Sequence, residues 1–253
     1  MAATRIQAPP GAQAALRAVR LLKLFTPARA ELQLHEVAKL AGLNKTTAHR
    51  LLRALQSEGL IDRNQRSGGY CLGPVLMALG VQALSSNNLR LRARPMLRRL
   101  AQESGETATL EIPIDDSMLI LDEVTGDHVV GAAANVGTRW PMHATSTGKA
   151  LIAFEENGLD RLRRKLQPLT ENTIVCREDL ERQLGHIRKK GFAETIDELE
   201  QGFSGVATII RGGLGEVLGA VSICGPTQRL DGARRSLLAE SLLTAARGLQ
   251  PRH

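Results

Sequence analysis

A chain of 253 residues, 43% hydrophobic and 23% charged, has the length and composition of one or two folded domains, not of a disordered polymer. No run approaches the roughly 18–20 apolar residues of a membrane span, and the opening MAATRIQAPPGAQAALRAV lacks a signal peptide's apolar stretch, so a cytoplasmic protein without a membrane partner is expected. Cys71, Cys176 and Cys224 stand far apart with no CxxC pair, which argues against a disulfide framework or a thiolate zinc site; neither metal nor cofactor is expected.

The formal charge of +7 is unevenly placed: residues 1–73 hold 11 Lys+Arg against 4 Asp+Glu, and residues 74–253 hold 22 of each. A basic segment joined to a neutral one meets a polyanion with the basic part. Single-strand and RNA readers stack bases on aromatic rings. Residues 1–73 offer only Phe25 and Tyr70, which favours duplex DNA.

After a Pro/Gly/Ala-rich lead (1–11), Leu16, Val19, Leu22 and Phe25 recur at helical spacing, and Pro27 ends that helix. A second helix spans Leu34 to about Ala41. Gly42 can take the left-handed conformation that closes it, and Asn44 is a good N-cap for a third. In the third helix Ala48, Leu51, Leu52 and Leu55 form an inward stripe. Thr46, His49, Arg50 and Arg53 form the opposite one, with Lys45 and Thr47 at the helix start. Two helices joined by a short Gly-containing turn are a helix-turn-helix, whose second helix presents its N-terminal residues to base edges in the major groove. A solvated helix in an ordinary three-helix bundle shows the same stripes, and the next segment favours the first reading. Leu60–Arg63 and Tyr70–Leu72 read as two short strands around the turn Asn64–Gly69, the wing of a winged helix. Gly68 and Gly69 supply positive φ, and Arg63 and Arg66 lie near the DNA backbone or minor groove.

The run LHEVAKLAGLNKTTAHRLLRALQSEGLIDRNQRSGGYCLGP resembles the winged helix of IclR-type bacterial transcriptional regulators. The blocks WPMHATSTGKALIAF, LTENTI, LERQLGHIRKKGF and DELEQGFSGVATIIRGGLGEVLGAVSICGP follow in that family's order, so the resemblance covers roughly residues 12–250. It implies an α+β protein: a winged helix-turn-helix (12–73), linker helices (74–100) and a GAF/PAS-like α/β effector-binding domain (101–253). It also implies a homodimer or dimer of dimers acting on operator DNA in answer to a small metabolite.

In the linker, Val75, Leu76, Leu79 and Leu84 suggest one helix and Leu89 to Leu100 a second, with a kink or restart at Pro95. Five arginines between Arg90 and Arg99 read as a solvated or salt-bridged face in preference to a DNA contact. Further on, strands are expected at Ala108–Ile114, Met118–Val124, Val129–Asn135, Phe192–Ile196, Val206–Arg211 and Val217–Cys224. Helices are expected at Ser146–Phe154, Leu159–Leu166, Asp179–Lys190 and Gly232–Gly248. This order fits an antiparallel sheet packed against helices.

Enzyme motifs fail. STGKA is half a P-loop, but His143 and Ala150 stand where Gly and Ser/Thr are needed. Gly213, Gly215 and Gly219 miss the dinucleotide spacing, and no GxSxG elbow surrounds Ser146. The small and hydroxyl residues of MHATSTGKA sit at a helix start, where N–H groups favour an anion; Thr145 or Ser146 acting only as a cap is the equal alternative. The resemblance implies that Ser146, Thr147, Gly148, Thr195, Gly205, Ser222 and Cys224 line the effector pocket. Many members carry an acid at position 195, Cys or Ser at 205 and Ser at 224. The departures here imply a less polar, roomier pocket and an effector more apolar than a two-carbon acid.

The expected function is therefore sequence-specific operator binding controlled by a small organic acid. Asn44, Lys45, Thr46, Thr47, His49, Arg50, Arg53, Arg63 and Arg66 carry the DNA contacts, and there is no catalytic residue. The alternatives are a metabolite-converting enzyme with a DNA-localising N-terminus and a non-specific architectural DNA protein, the latter at odds with a polar recognition face.

Overall fold

The computed structural model describes residues 9, 11–26, 28–126 and 135–249. It divides into two compact units, the first ending at Ser86 and the second beginning at Asn87.

The first unit opens with α1 (Gln13–Leu22). Its inward residues are Ala18, Leu21 and Leu22; Val19, placed inward by simple periodicity, is 51% exposed. The helix stops at Leu22, before Phe25, which is nonetheless buried. Pro27 and most of the 1–11 lead lie outside the described residues. A two-residue strand, β1 (Glu31–Leu32), follows. It was not foreseen, being too short to show alternation. The turn between α2 (Leu34–Ala41) and α3 (Lys45–Ser57) forms as its residues dictate: Gly42 is left-handed at φ 63°, and Asn44 Oδ1 accepts the Thr47 N–H at 2.8 Å. The wing is β2 (Ile61–Arg63) and β3 (Tyr70–Leu72), in an antiparallel sheet ordered β1-β3-β2. Leu21, Phe25, Leu32, Val37, Leu52, Leu55, Ile61 and Tyr70 make one core. In the turn Gly68 has φ 73°, but Gly69 does not have positive φ. Gly69 is there for close approach, since a Cβ would stand 2.2 Å from Glu31 Oε1. Glu31 ties the turn to β1 through the Ser67 hydroxyl and the Asn64 amide.

The expected linker is shared between the units. α4 (Pro74–Ser85) belongs to the first and buries none of its residues; Met77 is 70% and Val81 66% exposed. α5 (Asn88–Ser104) belongs to the second and runs unbroken through Pro95, so there is no restart. It buries Met96, Leu97 and Leu100, while Arg90 and Arg94 converge on the buried Asp122.

The second unit is a six-stranded antiparallel sheet ordered β6-β5-β4-β9-β8-β7. Its strands are β4 (Thr107–Ile114), β5 (Ser117–Val124), β6 (Arg139–Pro141), β7 (Ala193–Ile196), β8 (Phe203–Arg211) and β9 (Val217–Pro226). The expected strand at Val129–Asn135 falls outside the described residues except for Asn135, and β6 was not foreseen. α6 (Ser146–Phe154) and α7 (Arg177–Lys190) share a core with Met118, Ala193, Ala207, Ile209 and Ala220 of the sheet. α8 (Gly232–Gly248) packs on β8 and β9. The expected helix Leu159–Leu166 is only a 3₁₀ turn, Gly158–Arg161; Leu162 and Leu166 are buried without helix.

Candidate nucleic-acid interface and ligand cavity

On α3, Lys45, Thr46, His49, Arg50 and Arg53 are all exposed, opposite buried Ala48, Leu52 and Leu55. Thr47 is half-buried, and Asn44 spends its side-chain oxygen on the cap. The first turn holds no acidic residue, so the positive end of the helix is left uncompensated for a phosphate. At the wing the two arginines differ. The Arg63 guanidinium donates to the Gly68 carbonyl at 3.1 Å and lies 5.7 Å from the Tyr70 ring, so it shapes the hairpin instead of reaching out from it. Arg66 is exposed at the tip, its N–H held by Asn64 Oδ1 at 3.0 Å.

A cavity of about 420 Å³ lies between the start of α6 and the sheet. Strand register explains its floor. Thr195, Gly205, Cys224 and Thr107 are successive partners across β7, β8, β9 and β4. Ala207, Ser222, Thr109 and Glu123 form the next row, across β8, β9, β4 and β5. Side chains two residues apart on a strand share a face, so Thr107, Thr109 and Glu111 join the face of Ser222 and Cys224.

Six of the seven residues expected in the pocket line this cavity: Ser146, Thr147, Thr195, Gly205, Ser222 and Cys224. Gly148 does not. A Cβ there would lie 2.3 Å from Met142 Cα, so its role is close backbone packing, and its N–H is capped by Thr145 Oγ1 at 3.1 Å. The cap therefore exists, but on Thr145, which leaves the preceding two donors free. No described residue accepts the Ser146 or Thr147 N–H, and Ser146 Oγ, in a residue 5% exposed, also has no partner among the described residues.

The floor carries polar groups beyond positions 195, 205 and 224. Glu111 accepts the Thr147 hydroxyl at 2.7 Å and the Thr109 hydroxyl at 2.9 Å, and Thr109 contacts Ser222 Oγ at 2.7 Å. Burial pushes the Glu111 carboxyl above the ordinary carboxylate range, and the two hydroxyls pull it back. The Ser146 hydroxyl sits against Gly205. At the rim, Arg229 grips Glu106 through two bonds of 2.6 and 2.7 Å. Burial, aided by Glu111, drives the Cys224 thiol far above its usual range. Lys149, the lysine of the half P-loop, is fully buried and paired with Glu198. Sequence reasoning missed Thr107, Thr109 and Glu111. Their signal was there as a polar alternation in TATLE, which reads equally well as a solvated strand face.

An exposed basic reading helix backed by a small wing, on a chain whose remaining charge is balanced, defines a DNA-binding transcriptional regulator. Comparison supplies the family. Residues 81–250 match the model described as bacterial transcriptional regulator IclR C-terminal, and residues 14–65 match the IclR helix-turn-helix domain. The chain belongs to the IclR family. It is 34% identical to the HTH-type transcriptional regulator XynR of Escherichia coli K12 over 95% of this chain and 96% of that protein. It is 32% identical to the transcriptional repressor IclR of the same organism, over 93% and 88%. Among solved structures, an IclR regulator from Silicibacter sp. TM1040 superposes with a TM-score of 0.83 at 26% identity, covering 93% and 94% of the two chains. An IclR homologue of Microbacterium hydrocarbonoxydans complexed with 4-hydroxybenzoate superposes with a TM-score of 0.75 at 27% identity, covering 93% and 97%. The family and these relatives are transcriptional regulators, not enzymes. No helix among the described residues is long and apolar enough to cross a membrane.

Proposed function

We propose that this regulator reads a specific operator with α3 and is controlled by a small organic acid held in the cavity of its second unit. The observation that carries the effector reading is the set of donors without protein acceptors at the start of α6, the N–H groups of Ser146 and Thr147 and the Ser146 hydroxyl, facing a cavity of about 420 Å³. A carboxylate fits such a helix start. The Microbacterium relative's complex with an aromatic hydroxy acid supports the same class. Thr46, Thr47, His49 and Arg50 address bases or nearby phosphates. Lys45, Arg53 and Arg66 address phosphates, and Asn44 and Arg63 hold the reading helix and the wing in shape.

The protein acts as a homodimer or a dimer of dimers, because one helix-turn-helix reads few base pairs and two half-sites need two copies. The bare apolar residues of α4 are the surface that pairs. Light scattering of the free and DNA-bound protein is expected to show a dimer or larger, and Met77→Glu with Val81→Glu to weaken it; a wild-type monomer in both states overturns this. For the effector, operator selected from random duplexes is titrated with organic acids. An acid that raises the melting temperature must also change operator affinity, by about 5–150-fold for a coupling of about 1–3 kcal/mol. Acids that stabilise the protein without moving operator affinity overturn the control reading.

A further inference from the structure

The cavity's donor pole faces an acceptor pole that a simple carboxylic acid leaves unused. Glu111 has four lone-pair sites, and the Thr109 and Thr147 hydroxyls fill two of them. Thr109 has a single proton and gives it to Glu111, so the 2.7 Å contact with Ser222 takes the Ser222 proton. Three hydroxyl protons thus point, directly or in relay, at one carboxylate. What Thr109, Thr147 and Ser222 turn outward is oxygen lone pairs, and Glu111 adds two more. All four residues line the cavity, and Glu111 is only 5% exposed, so bulk water does not meet these sites freely. Of the other carboxylates of the lining, Glu106 is matched by Arg229 and Glu200 is exposed, while Glu123 reinforces the sign, with the Asn135 amide at 3.2 Å and no cation among the described residues. Thr147 joins the poles, its N–H without an acceptor and its hydroxyl on Glu111.

We propose that Glu111 is the specificity-determining residue of the cavity and reads a hydrogen-bond donor on the effector, so that the ligand class is a hydroxy- or amino-substituted organic acid rather than an unsubstituted one. This rests on the effector reading above. The acid group meets the donors at Ser146 and Thr147, and the hydroxyl or ammonium group meets the lone pairs of Glu111 and its relay. An unsubstituted acid desolvates Glu111 without giving it a partner, which selects against it. Burial of the Glu111 carboxyl works in the same direction, because a donor from the ligand offsets the lost water.

Calorimetry and thermal shift with matched probes test this on the full chain. The probes are benzoate with 3- and 4-hydroxybenzoate, butanoate with 3-hydroxybutanoate and 3-aminobutanoate, and phenol and 1,3-butanediol as donors without an acid. Wild type is expected to bind at least one substituted acid ten-fold or more tightly than its unsubstituted parent. Glu111→Gln keeps the shape and a neutral acceptor, so it is expected to lose the ammonium compound more than the hydroxy acids. Glu111→Ala is expected to abolish the preference. Unsubstituted acids that bind wild type as tightly as their substituted partners overturn the proposal and leave the acid reading standing. Binding of phenol or butanediol without any acid overturns the acid reading and leaves Glu111 as the donor reader. A preference that survives Glu111→Ala overturns Glu111, and wild type that binds no probe overturns both readings.

Discussion

Gly205 and Ser146 meet so closely across the cavity floor that a Cβ at 205 would lie 2.9 Å from Ser146 Oγ. The neighbour is a rotatable hydroxyl, so Gly205→Ala is expected to fold, to turn Ser146 away and to weaken effector binding about ten-fold. Gly148 makes the opposite kind of contact, its missing Cβ 2.3 Å from Met142 backbone atoms that cannot turn aside. Gly148→Ala is expected to cost about 1–3 kcal/mol or more in urea unfolding. Equal stability of the two variants would contradict the contrast.

Lys149 is fully buried against Glu198. Burial pushes the lysine's pKa down and the glutamate's up, and each is opposed by the other's charge. Removing one partner strands the other. Lys149→Met is expected to cost about 3–5 kcal/mol, and Lys149→Met with Glu198→Leu to recover most of it. Denaturant melts of the single and double variants check this; a double variant as weak as the single one would remove the pair as the explanation.

Variants of Arg50 and Arg66 are expected to separate base reading from phosphate binding. Arg50→Ala is expected to cost about 1–3 kcal/mol on the selected operator and to relax selectivity at one position. Arg66→Ala is expected to weaken all duplexes alike and to lower the slope of affinity against salt by about one unit. Binding to operator and random duplex across a salt series distinguishes them.

Glu111 makes stability depend on pH in a definite direction. Its folded pKa is raised, first by burial, above the ordinary value of 4.5, so the folded state holds the proton more tightly than the unfolded chain. The cost is absent at low pH, where both states are protonated. It grows as pH rises through 4.5 and is complete above the folded pKa. Glu111→Gln is expected to match wild type near pH 4 and to be the more stable protein at neutral pH. A stability difference that does not change with pH would exclude a raised carboxyl at this site.

The winged helix was legible in detail because its determinants are local. Gly42 and Asn44 act on residues within four positions, and α3 sorts its own faces by a 3.6-residue period. Even there, β1 escaped notice because two residues carry no period, and Gly69 was misassigned because the atom it makes room for belongs to Glu31. In the second unit every strand but the three-residue β6 was legible, but the use of their faces was not. His143 and Ala150 already exclude a P-loop around Lys149, but its partner, Glu198, lies 49 residues away and shows only in the fold.

The sequence by itself determined where the basic unit lies, which face of α3 is polar and exposed and where most of the strands run, since each follows from neighbours within a turn or two of chain. The chemistry of the cavity was decided only in three dimensions. Thr109 meets Ser222 across 113 residues of chain, and only when β9 lies between β4 and β8 does the face of Thr107, Thr109 and Glu111 come to lie beneath the start of α6. On a solvated strand those side chains would be ordinary polar residues. Covered by Thr147 and Ser146 they become a buried carboxylate with its hydroxyls turned inward, because taking a carboxyl out of water forces nearby donors to point at it.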